Sequence, residues 1–134
     1  MDELYRQNIL EHYRNPHNEG TLETYTHSHI EHNPLCGDKV QIDLLVDDQH
    51  RIDQVAFSGK GCAISQASTS MLTDMLIGKT VEEAKQIDKE AILDELGIEI
   101  GPVRLKCALL SLKAVKMALY GLSEEEWDNE EDDW

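Results

Sequence analysis

Four residues of this chain are of types that act together on a metal ion or on sulfur. They are Cys36 and Asp38 in "NPLCGDKV", Cys62 after "FSGKG", and Cys107 in "RLKCALLSLKAV". Three thiolates and one carboxylate give four donors, the number that closes the shell of a tetrahedral zinc ion at roughly 2.3 Å to sulfur and 2.0–2.2 Å to oxygen. The same thiolates can hold an iron–sulfur cluster, because cluster iron also prefers cysteine sulfur. Spacing does not choose between the two, and no CxxC pair is present. Pro34 and Gly37 favour a turn that presents Cys36 beside Asp38. Cys62 and Cys107 read as lying near helix N-termini. There the unpaired N–H groups, with Lys60, Arg104 and Lys106 close in sequence, favour the thiolate. The plain alternative for Cys107 is a small core residue on a helical stripe.

The elements that must position these residues are legible as a mixed pattern. "DELYRQNILEHYRN" sets Tyr5, Ile9 and Tyr13 at i, i+4 and i+8, an amphipathic helix that has to stop before Pro16. "KVQIDLLVDD" alternates Val40, Ile42, Leu44 and Val46, and "RIDQVAFSG" continues with Val55 and Phe57 after the polar turn 47–50, so two antiparallel strands are predicted. A third strand is expected before Asn33. Residues 62–77 read as a helix of small residues ending at Gly78, and Thr80 with Glu83 forms a capping box for a short one. Pro102 suits the first turn of a long helix to Tyr120, with Gly121 at its stop and Val103, Cys107, Leu110, Ala114 and Met117 as its apolar stripe. The expectation is an α+β fold: a small antiparallel three-stranded sheet packed against several helices.

Composition sets the limits on function. A chain of 134 residues fits one domain, expected over 1–121, followed by an acidic tail over 122–134. The net charge of −15 argues against a general nucleic-acid surface, which needs an excess of Lys and Arg. The last eleven residues hold eight of the carboxylates, leaving 19 acidic against 12 basic residues elsewhere, so the tail reads as a solvated end or a docking arm for a basic partner. No apolar run approaches 18 residues and no basic start precedes one, so neither a membrane span nor a secretory signal is expected. The reading is cytoplasmic, where three cysteines serve thiol or metal chemistry better than disulfides.

Other constellations are weaker. His27, His29 and His32 in "THSHIEH" are candidates for a second metal, although histidines on a half-exposed strand need no such role. "HIEHNPLC" has the start of a zinc deaminase pattern but lacks its second cysteine. A cysteine hydrolase needs a fixed general base, and only His32 lies near a cysteine in sequence.

"LYRQNILEHYRNPHNEG", "NPLCGDKV", "FSGKGCAISQASTSMLTDMLIGKTVEEA" and "RLKCALLSLKAV" together resemble, in order and over nearly the whole chain, the U-type iron–sulfur assembly proteins of the IscU, SufU and NifU N-terminal family. The resemblance implies a compact α+β fold of the SufE/NifU-like kind. It implies Cys36, Asp38, Cys62 and Cys107 as metal or cluster ligands, and a cysteine desulfurase as the source of sulfur. Family members either build an iron–sulfur cluster and pass it to apo acceptor proteins or, in the SufU branch, hold zinc and accept persulfide sulfur. Lys106 stands where IscU-type members have histidine, as in SufU. The 45-residue step from Cys62 to Cys107 lacks the segment that SufU-type members insert there, so the chain resembles a short SufU-like member. "IGPVRLKC" partly resembles the segment that IscU offers to an Hsp70-type chaperone, with Gly101 for one proline and Arg104 for the lysine. Cys107 is the expected sulfur acceptor.

Overall fold

The structure is a computed structural model and describes residues 2–33 and 37–120. Cys36 and the acidic tail therefore lie outside the described residues, as does the helix stop at Gly121. The elements run α1 (Asp2–Arg14), β1 (His27–Asn33), β2 (Asp38–Val46), β3 (Ile52–Lys60), α2 (Ala63–Leu76), α3 (Val81–Lys85), α4 (Lys89–Leu96) and α5 (Pro102–Tyr120). The strands form one antiparallel sheet in the order β1-β2-β3. The predicted α+β architecture is the observed one.

The hairpin between β2 and β3 turns because Asp47 Oδ1 accepts the backbone N–H groups of Gln49 and Arg51 at 2.8 and 3.0 Å. Just before it, the pairing register shifts between Leu45 and Val46. This bulge lets Ile52 and Val55, an odd number of residues apart, both reach the core. The free edge of β3 is covered by the chain after α1. Phe57 N–H donates to Asn18 O at 2.9 Å, and Gly20 N–H to Phe57 O at 2.7 Å.

One face of the sheet packs against helices: β1 and β2 chiefly against α5, and β3 against α2, which also touches α1. Ile42, Leu44, Phe57, Leu72, Leu76, Leu112 and Val115 fill the space between them. α2 is buried on nearly every side although much of it is Ser and Thr. Its hydroxyls turn back on their own helix, with Ser68 and Thr69 both donating to Ser65 O and Thr73 to Ser70 O.

Three sequence expectations change in the fold. Tyr13 is exposed, and His12 takes the inward position one helical turn after Ile9. Burial, and then the neighbouring His17, push the His12 imidazole below its ordinary value, so it rests against α2 as a neutral ring. The narrow stripe expected on α5 is instead burial almost all round from Cys107 to Leu119, because the sheet, α2, α3 and α4 all pack on this one helix. α4 was not anticipated. Its signals are present in the sequence: Asp88 caps the N-terminus by accepting Ala91 N–H at 3.1 Å, and Gly97, at φ 66°, ends it in the left-handed conformation.

Candidate metal and sulfur site

Asp38, Cys62 and Cys107 come together at one end of the sheet. Asp38 opens β2 and pairs across the ladder with Asn33, the last residue of β1. Its parity with Val40 and Ile42 turns it to the helix-covered face, where it is buried. Cys62 is the N-cap of α2, with extended backbone and no side-chain cap bond, so its sulfur is not committed to the helix end. Cys107 lies in the second turn of α5 and is buried.

One ligand atom from each of the three lies within 4.8 Å of the other two. Cys62 Sγ stands 4.0 Å from Asp38 Oδ2. Donors on a tetrahedral zinc are about 3.6–3.8 Å apart, from the ordinary Zn–S and Zn–O distances. The group therefore needs to contract by only about 1 Å to close on an ion, less than a side-chain rotamer change supplies. Neither Cys62 nor Cys107 is in a disulfide. The donor set, soft sulfur with one exchangeable carboxylate, fits zinc or cluster iron.

Two neighbours shape the site and were not singled out from sequence. Asn33 Nδ2 points at Cys107 Sγ from 3.7 Å, a weak donor contact to the sulfur. Its signal was present, because the short loop before Asp38 makes the flanking residues cross-strand partners. Gly61 sits where an added Cβ would meet Asp38 Oδ1 at 2.8 Å and Ser65 Oγ at 3.0 Å. Glycine here is what lets the β3–α2 link approach the carboxylate. Lys39 and Lys60 pair across β2 and β3 at this same end, both exposed, and Arg104 and Lys106 are exposed at the start of α5. The two cysteines thus lie on elements whose adjoining residues are cationic.

The histidines of β1 do not form a site. His27 and His29 alternate onto the face shared with Glu31 and Asn33, while His32 points to the other. His29 Nε2 lies 3.2 Å from Glu31 Oε2, and the buried Glu31 also pairs with Lys113 Nζ at 3.1 Å. The polar face of β1 is thus neutralised against α5 rather than assembled around an ion.

A three-stranded antiparallel sheet covered by helices, with two cysteines and an aspartate converging from three segments, defines a small α+β protein built for thiolate chemistry. The model of the NifU-like N terminal domain matches residues 4–127, and the chain belongs to that family. It is 35% identical over 146 aligned positions to the zinc-dependent sulfurtransferase SufU of Bacillus subtilis (strain 168), with 96% of each chain covered. That alignment is longer than this chain of 134 residues, so it spans gaps opposite segments that the chain lacks, in keeping with a missing insertion. It is also 35% identical over 118 residues to the iron–sulfur cluster assembly scaffold protein IscU of Haemophilus influenzae, covering 86% of this chain and 92% of the relative. Among solved structures, a SufU described as a scaffold of the SUF system, from Fervidobacterium islandicum AW-1, superposes with a TM-score of 0.69 at 30% identity, covering 84% of this chain and 94% of that one.

Proposed function

We propose that this chain is an iron–sulfur cluster assembly protein that accepts sulfur from a cysteine desulfurase and serves as the scaffold on which a cluster is built and passed on. The observation that carries the reading is the convergence of Asp38, Cys62 and Cys107 in a chain of this family. Cys36, two residues from Asp38 in sequence, completes the donor set as its fourth member. The cluster is cargo, received by apo acceptor proteins. A bound divalent ion would keep the thiols ionised at neutral pH.

Cys107 is the sulfur acceptor in this proposal. Its thiolate attacks the outer sulfur of the desulfurase persulfide. The persulfide S–S bond breaks, the desulfurase cysteine leaves as its thiolate, and Cys107 carries the new persulfide. Cys107 is buried and Cys62 is partly exposed, so Cys62 is the more accessible of these two thiols. Asn33, 3.7 Å from Cys107 Sγ, is placed to hold the attacking thiolate. The start of α5, where Pro102 and Arg104 are exposed, is the surface proposed for an Hsp70-type chaperone. No helix of the described residues is long and apolar enough to cross a membrane, and a cytoplasmic location is part of the proposal.

A second reading, a zinc-bound sulfur acceptor that activates its desulfurase without holding a cluster, is favoured by Lys106 and by the name of the Bacillus relative. Native mass spectrometry on anaerobically purified protein, beside Cys62→Ser, decides between them. Iron and sulfide mass with visible absorption in the wild type, lost in the variant, supports the scaffold. One colourless zinc per chain, with persulfide loading on Cys107, supports the alternative. No mass lost on Cys62→Ser would overturn both.

A further inference from the structure

A second group of metal-type ligands lies at the far end of α2. His12 is in the last turn of α1, His17 follows three residues after that helix ends, and Asp74 is in the last turn of α2. One ligand atom from each lies within 4.8 Å of the other two. The two imidazole rings are 4.5 Å apart between centroids and tilted by 47°, so they converge without stacking. His17 Nδ1 lies 2.5 Å from Asp74 Oδ2.

The surroundings hold these side chains in place. Ser70 Oγ accepts the His17 backbone N–H at 2.8 Å and lies 2.7 Å from His12 Nδ1, which fixes the His12 ring. Asn18 Nδ2 donates to Asp74 Oδ1 at 3.1 Å and to Thr73 Oγ1 at 3.0 Å. Metal-binding histidines and carboxylates characteristically have partners of this kind behind them. His17 and Asp74 are about half exposed, at 49% and 44%, so water can reach the group and complete a coordination shell.

We propose that His12, His17 and Asp74 form a second cation site that takes one borderline divalent transition ion of the zinc(II) or cobalt(II) class and pins the end of α1 to α2. Two imidazoles and one carboxylate suit such ions, and the nitrogen donors select against magnesium and calcium. On a tetrahedral ion the His17 and Asp74 donors would stand roughly 3.4 Å apart, so their direct contact opens by about 1 Å on binding. Both side chains are exposed enough to make that move. The site is separate from the thiolate group: Cys62 and Asp74 are twelve residues apart along α2, roughly 18 Å at 1.5 Å per residue.

The test is zinc titration of the full chain by calorimetry and native mass spectrometry, with His17→Ala, Asp74→Asn and the double variant His27→Ala/His29→Ala alongside. The wild type should take up one ion more than His17→Ala, or bind that ion at least about tenfold more tightly. Asp74→Asn should weaken the same ion, and the β1 double variant should keep it. With cobalt(II), this ion should add no sulfur-to-metal charge-transfer absorption, which separates it from any ion at the cysteines. An empty thiolate site would lower every count alike and leave the difference between wild type and His17→Ala intact. Equal stoichiometry and affinity in wild type and His17→Ala, or loss of the extra ion in the β1 variant, would overturn the proposal.

Discussion

Gly61 carries no side chain, and Asp38 occupies the space one would need. Gly61→Ala would press a methyl group against the Asp38 carboxylate, so the variant should fold but bind metal roughly tenfold to a hundredfold more weakly, as other changes that reorient a metal ligand do. Zinc competition with a chromogenic chelator measures this, and unchanged affinity would show that Asp38 is not a ligand. In the proposed site Asp38 is the hard, exchangeable donor among soft ones. Asp38→Ala should therefore keep or stabilise a bound cluster while slowing its transfer to an apo acceptor, followed by the acceptor's visible spectrum. Faster transfer would contradict that role. At this scale the sequence was informative about residue types, since Cys62, Cys107 and Asp38 were all chosen from local context. It said less about Asn33 and Gly61, whose roles depend on what stands opposite them in space.

Among the elements, α3 is the one whose start was fully legible. Thr80 Oγ1 accepts Glu83 N–H at 3.1 Å, and Glu83 Oε1 accepts Thr80 N–H at 3.0 Å, the reciprocal pair that the spacing predicted. Thr80→Ala should cost about 1 kcal/mol in urea unfolding at neutral pH. The backbone N–H of Thr80, then its hydroxyl, hold the Glu83 carboxyl below its ordinary value. A carboxyl depressed in the folded state stabilises above the unfolded value of 4.5, and the effect is lost as pH falls through the lower folded value. The difference between wild type and Glu83→Gln should therefore narrow in acid. A gap that widens there would show that the box is not the source. β1 was the least legible element. Its inward positions are His27, His29, Glu31 and Asn33, and Lys113 from distant α5 helps, with His29, to make a buried Glu31 tolerable.

For the whole molecule, the proposed metal ties together β2, the β3–α2 link and α5. An ion that binds the folded chain and not the unfolded one adds about 2.7 kcal/mol at a hundredfold excess over its Kd. Chelation should lower the melting temperature of the wild type by more than that of Cys62→Ser, which lacks a closed thiolate site and keeps only the His12 group. Equal shifts in both would place the stabilising ion elsewhere, the His12 group being the first place to look.

The sequence by itself determined the strands, four of the five helices among the described residues, the cap at Thr80, the helix start at Pro102, and the residue types of the site. These follow from period, turn chemistry and local hydrogen bonding, which act over a few residues. It also carried the family resemblance, through motifs each short enough to be read in place. Only the tertiary structure decided that His12 rather than Tyr13 faces inward, that α5 is buried nearly all round, and that Cys62 and Cys107 approach Asp38. Those outcomes depend on strand register and on helices packed from distant parts of the chain. A local pattern shows that a cysteine is available, but the sheet and α5 must both be in place before its sulfur has a partner.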